Sequence, residues 1–107
     1  KDYNKAVELN PEEVDTLITR GNILLALERY EKAISDYSGV IFLAPGQVVA
    51  YHNRGRAYQA LNQHQKALRD YDEAIRLDPE DALSYFYRGI VCRALDRFPE
   101  QITLLVC

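Results

Sequence analysis

Two histidines (His52 and His64), two cysteines (Cys92 and Cys107) and 16 carboxylates are the side chains with which this 107-residue chain could do acid–base, nucleophilic or metal chemistry. Neither histidine has a partner at metal-ligand or triad spacing. The cysteines lack any CxxC or Cys/His pattern, and there is no glycine-rich phosphate loop. Both histidines therefore read as polar surface residues and Cys92 as a buried, inert thiol, while Cys107 at the chain end is placed to oxidise between chains. No catalytic residue, metal, cofactor or disulfide framework is expected, and the chain does not read as an enzyme.

The charged residues recur instead of clustering. Arg20-Gly21, Arg54-Gly55 and Arg88-Gly89 lie 34 residues apart, as do Asp2-Tyr3, Asp36-Tyr37 and Asp70-Tyr71, and as do Pro11, Pro45 and Pro79. An aspartate that returns with a fixed period marks architecture rather than catalysis. Each of these aspartates precedes an arginine by 18 residues, which predicts three ion pairs from one repeat to the next. These are Asp2–Arg20, Asp36–Arg54 and Asp70–Arg88, each worth about 1 kcal/mol or less where water reaches it.

The elements that must hold these residues are helices. Tyr3, Ala6, Val7 and Leu9 form an apolar stripe that Asn10-Pro11 stops, the second half of a repeat whose first half is absent. Pro11 suits a first helical turn, and Glu12, Glu13 and Asp15 suit the positive end of a helix dipole. A helix is predicted from Glu12 to Ala26, with Leu17, Gly21, Ile23 and Leu24 on its packing face. Glu28-Arg29-Tyr30 makes the turn to a helix from Glu31 to Leu43, with Ala33, Ile34, Tyr37, Val40 and Ile41 inward, and Ala44-Pro45-Gly46 ends it. The next unit repeats this with Tyr51, Gly55, Tyr58 and Leu61, then Ala67, Leu68, Tyr71, Ala74, Ile75 and Leu77, before Asp78-Pro79. A third opens in step with Tyr85, Gly89, Cys92, Leu95 and Phe98. After that Gln101, Leu104 and Leu105 replace the earlier alanine, aspartate and tyrosine, with a short helix predicted from Pro99 or Glu100. A glycine kept in mid-helix costs about 1 kcal/mol of propensity, so its recurrence implies a close helix–helix approach.

The bulk composition bounds the partners. With 48% hydrophobic and 27% charged residues the chain is an ordinary globular domain, and a net charge of −3 with interspersed signs argues against nucleic acid as a partner. Stretches such as Val40 to Ala44 are far too short to span a bilayer, so no membrane segment is expected. A reducing, cytoplasmic setting is the default, and a start in mid-repeat without methionine reads as a fragment start.

The Tyr51/Gly55/Tyr58 spacing, followed by Ala67, Tyr71, Ala74 and Pro79 on a 34-residue period, resembles a tetratricopeptide repeat array. The resemblance covers nearly the whole chain. It implies an all-α, right-handed superhelical solenoid of antiparallel helix pairs, with about three repeats and seven helices. Residues 1–11 would be the second helix of a preceding repeat, 14–47 and 48–81 two repeats, and 82–107 an incomplete, divergent third. Such pairs bury their apolar stripes on one another.

The resemblance also implies a protein–protein interaction scaffold whose first helices line a concave groove for a peptide segment of a partner protein. The groove candidates are Ile18, Asn22 and Leu25, then Val49, His52, Asn53, Arg56 and Gln59, then Leu83, Phe86, Tyr87, Ile90 and Arg93. Phe86 and Tyr87 would offer rigid aromatic area, and Arg56 and Arg93 would pair with acidic groups. Co-chaperones of this family hold the C-terminal carboxylates of heat-shock chaperones with two Asn, two Lys and an Arg. Asn22 and Asn53 match the asparagine places, but Ile18 and Leu83 stand at the lysine places and Tyr87 at the arginine place, which speaks against that activity and for a more apolar ligand. The alternative function is self-association, a homodimer through an uncapped C-terminal helix bearing Ile102, Leu105 and Val106.

Overall fold

The computed structural model describes residues 11–97, and within them the chain is five helices with no strand. They are α1 (Pro11–Ala26), α2 (Tyr30–Leu43), α3 (Val48–Ala60), α4 (His64–Leu77) and α5 (Ala82–Arg97). The expected helix within residues 1–11 and the last one, from residue 99 onward, lie outside the described residues. Five of the seven expected helices, two hairpins and the opening helix of a third unit, are therefore what the structure shows.

Local chemistry sets the helix ends. Pro11 occupies the first position of α1 with Glu12 and Glu13 in its first turn. α1 stops where the Arg29 N–H reaches back to Leu24 O (2.8 Å) and the Glu28 N–H to Leu25 O (3.0 Å), with Glu28 at φ 62°. That is a Schellman stop with a glutamate in the left-handed region, where glycine is the residue without strain. α3 ends in the same way, with Asn62 at φ 61°. Tyr30, expected in the turn, is the first residue of α2. Glu28→Gly is expected to raise the thermal midpoint, with a gain of up to about 1 kcal/mol from relief of the left-handed backbone. An unchanged or lower midpoint would show that Glu28 is not strained.

Two apolar clusters join the helices. Ala33, Tyr37 and Val40 of α2 meet Ala50 of α3, with Leu17, Ile18, Leu24 and Leu25 of α1 packed alongside. Ala67, Leu68 and Tyr71 of α4 meet Val91 and Leu95 of α5, with Tyr58 and Tyr87 alongside. Each cluster thus ties one hairpin to the first helix of the next. A Cβ placed on Gly21 would lie 2.8 Å from Tyr37 Cε1, and one on Gly55 2.8 Å from Tyr71 Cε1. The recurring glycine is therefore the seat of the recurring tyrosine. Gly89 has nothing within 4 Å of such a Cβ. Tyr85, expected on the packing face, is exposed. On α1, Ile23 is 54% exposed, whereas Ala57 and Val91, one and two periods later, are fully buried beneath the preceding hairpin.

The ion pairs are not those expected from the 18-residue interval. Arg20 binds Asp36 (Nε–Oδ2 2.7 Å) and Arg54 binds Asp70 (2.8 Å), each pair also closed by a second bond from Nη2. Arg88 pairs with Asp72 at 2.9 Å rather than with Asp70, and Asp2 lies outside the described residues. The reason is hairpin symmetry: positions 20 and 36 are equally far from Glu28, and 54 and 70 from Asn62, so antiparallel helices bring them side by side. What links Arg54 to the previous hairpin is Ser38, whose Oγ accepts from Nη1 at 3.0 Å. Burial pushes the Asp70 carboxyl up although Arg54 pulls it down, while Asp70 raises the Arg54 guanidinium. Burial outweighs the arginine at this carboxylate, so the pair fixes helix geometry more than it adds stability.

Candidate peptide-binding groove

α1, α3 and α5 approach one another more closely than α2 and α4 do, which places these three helices on the inner side of an elongated body of 46 × 28 × 25 Å. α3 has buried residues on most of its faces, Ala50, His52, Asn53, Gly55 and Ala57, because it is flanked by α2 and α4 and touched by α1 and α5, while Val49 and Arg56 stay exposed. The inner side is therefore built on a central helix held by four neighbours.

Hydrogen bonds from the hairpin tyrosines set its polar groups. The Tyr37 hydroxyl donates to Asn22 Oδ1 (2.5 Å), which also accepts from Asn53 Nδ2 (2.9 Å). The Tyr71 hydroxyl donates to Gln59 Oε1 at 2.7 Å. Burial pushes the Tyr37 hydroxyl up to about 12 and the Tyr71 hydroxyl higher still, so both stay protonated donors. Asn22, Leu25, Ala26, Asn53 and Arg56 line a cleft of about 330 Å³.

Next to the cleft lies an aromatic group. The rings of Tyr71 and Tyr87 stack at 6.1 Å, His52 stands 5.4 Å from Tyr87 and 5.9 Å from Tyr71, and Phe86 meets Tyr87 edge-on at 5.3 Å. The Arg56 guanidinium lies over the Tyr87 ring at 5.2 Å.

His52 and Asn53 are buried rather than displayed, and His64 is buried at the start of α4, so the surface reading of both histidines is corrected. His52 Nδ1 shares a 2.9 Å hydrogen bond with Ser84 Oγ, which in turn donates to Asp81 Oδ2 at 2.5 Å. The relay joins α3 to the first turn of α5. Ser84 and Asp81 were missed from sequence, though a serine standing where Ala50 stood one period earlier was the signal for a buried partner. His64 shares its register with the aromatic residues Tyr30 and Phe98, which was the signal for an inward place. Ile18 packs against the first cluster, and Gln59 is half-buried. Asn22, Arg56, Val49, Leu83, Phe86, Ile90 and Arg93 are exposed, with Leu25 and Tyr87 half-buried between them. Cys92 is half-buried beside the second cluster and disulfide-bonded, not the inert free thiol that its context predicts. Among the described residues no group of three or more His, Cys, Asp or Glu is placed to hold a metal, and no helix is long and apolar enough to cross a membrane.

Burial holds the His52 ring below its ordinary value, with Asp81 opposing and Arg56 adding to the effect. A histidine depressed in the fold contributes stability that is full above its unfolded value, near 6.5, and is lost as pH falls below it. The melting temperature is expected to fall between about pH 7.5 and 5.5, and to fall less in His52→Gln. Because the raised Asp70 acts in the opposite direction at lower pH, the difference between the two proteins is the quantity to read. Parallel slopes would remove His52 as the cause.

Hairpins stacked on a 34-residue period, each closed by a tyrosine–glycine seat, define a helical-repeat protein. The chain matches a tetratricopeptide repeat family model over residues 48–81 and a second of the same description over 2–35, together more than half of its length. The chain belongs to the tetratricopeptide repeat family. Among solved structures it is similar to the Arabidopsis OM64 TPR domain (27% identity, TM-score 0.79, covering 85% of this chain and 75% of that one). It is also similar to the Sgt2 TPR domain from Aspergillus fumigatus (31%, TM-score 0.69, 82% and 56%). The TPR2AB-domain:pHSP90 complex of yeast Sti1 shares the fold at 24% identity (TM-score 0.81, 94% and 38%), so this chain spans well under half of that structure. No curated protein matches in sequence.

Proposed function

We propose that the chain is a protein–protein interaction module that holds a peptide segment of a partner protein along the inner wall of α1, α3 and α5. The observation that carries this is the make-up of that wall. Exposed Val49, Leu83, Phe86 and Ile90 lie with Arg56 and Arg93, and no groove candidate is acidic in a chain whose net charge is −3. Apolar anchors beside cations are what an interface uses, since desolvated aromatic and arginine side chains carry most binding energy. The Sti1 TPR2AB domain, solved with pHSP90, supports the reading by showing the same fold with a protein partner.

The test is selection from a displayed random-peptide library on the chain, followed by affinity measurements with Arg56→Ala/Phe86→Ala. Selected peptides should bind the double variant at least about tenfold more weakly, the size of one lost anchor. Far-ultraviolet circular dichroism should not change, because both side chains are exposed. Equal binding to the two proteins would exclude this wall.

A further inference from the structure

The cleft beside Arg56 has a more specific chemistry than an apolar groove. Asn22 Oδ1 is filled from two sides, by the Tyr37 hydroxyl at 2.5 Å and Asn53 Nδ2 at 2.9 Å. With its carbonyl end so occupied, the carboxamide of this exposed residue can only offer its two N–H groups outward. Arg56 lines the same cleft of about 330 Å³, and among the described residues no carboxylate pairs with it. Its guanidinium is not loose, because it rests 5.2 Å from the centre of a Tyr87 ring that is itself stacked on the fully buried Tyr71. A pre-placed arginine beside amide donors is a receptor for a planar anion, since the ordering of the long side chain is already largely met.

The cleft offers one cation. An acidic residue at a peptide's C-terminus brings two carboxylates, and in this cleft the second would find only Leu25, Ala26 and the carboxamides of Asn22 and Asn53, an uncompensated desolvation. One carboxylate, on a side chain, is what the site balances. Leu83, Phe86 and Ile90 stand one or two turns apart on one face of α5, exposed to between 36 and 62%.

Building on the groove reading above, we propose that this chain recognises an internal peptide segment in which one aspartate or glutamate is flanked by apolar residues. The carboxylate is taken by Arg56 and the Asn22 amide, and the apolar neighbours lie on Leu83, Phe86 and Ile90.

The test uses a positional-scanning library of twelve-residue peptides, acetylated and amidated at their ends, with a parallel set left as free C-terminal acids. Both are measured against the chain and against Arg56→Gln. Capped peptides should show enrichment of Asp or Glu at one internal position next to Leu, Ile, Phe or Val. Single Glu-to-Gln peptide replacements should cost about tenfold in affinity, the scale of a charge-assisted hydrogen bond. Arg56→Gln should abolish the acidic preference while keeping the apolar one, and Arg56→Lys should restore part of it. Apolar enrichment without an acidic preference would overturn the proposal and leave the groove standing, as would a preference found only in the free-acid set. No enrichment at any position would overturn both.

Discussion

Tyr71→Ala is expected to destabilise the chain by about 3–5 kcal/mol, the range of large aromatic losses from a close-packed site, and so to consume much of the margin of a small domain. Tyr71 is fully buried, fills the space over Gly55, stacks on Tyr87 and donates to Gln59. Removing it opens a cavity at the seam between α4 and α5 and leaves Gln59 without its donor. It also takes away the ring behind Tyr87, so Arg56 loses its platform. Tyr71→Phe separates these effects. It keeps the ring and should cost about 1 kcal/mol, the net worth of one hydrogen bond. Thermal and denaturant unfolding of both variants are the measurements. A loss below about 1 kcal/mol in Tyr71→Ala would mean that the seam is not where stability resides.

Gly55→Leu should be comparably damaging for the opposite reason. Even the first carbon of a side chain there would sit 2.8 Å from Tyr71 Cε1 and 3.1 Å from Cδ1. The ring cannot swing aside, because Gln59, His52 and Tyr87 hold it. α3 and α4 would have to part, at a cost of about 3 kcal/mol, the upper range for overpacking. Unfolding of Gly55→Ala, Tyr71→Leu and the double variant gives a cycle for the contact. The smaller leucine side chain should relieve the alanine clash, so the double variant should be more stable than the sum of the single losses allows. Strict additivity would show that residue 55 does not touch residue 71.

The stack of hairpins was legible because its determinants are local and repeat. Glycine, tyrosine and proline each return after 34 residues, and Gly21–Tyr37 and Gly55–Tyr71 meet as that pattern implies. The partners of Asp36 and Asp70 were not legible from an interval counted along the chain. Their register depends on reflection through Glu28 and Asn62, and neither residue advertises a left-handed turn as glycine would. Burial of His52 depended on Ser84 and Asp81, which lie in the next repeat and are unlike their counterparts. Of the groove candidates, the exposed apolar and arginine positions were named from what the family resemblance implies about the first helices. The oriented amide of Asn22 could not, because it takes Tyr37 from one helix and Asn53 from another to turn it.

Because Arg20 closes on Asp36 and Arg54 on Asp70, each bond spanning 16 residues, these ties are complete once a single pair of helices has met. Little loop entropy precedes the first reward, so contact order is low and folding belongs to the microsecond-to-millisecond class of helical proteins. Opening then runs along the seams: one pair can peel away while its neighbour keeps its own ties, and the array lengthens or shortens by whole pairs.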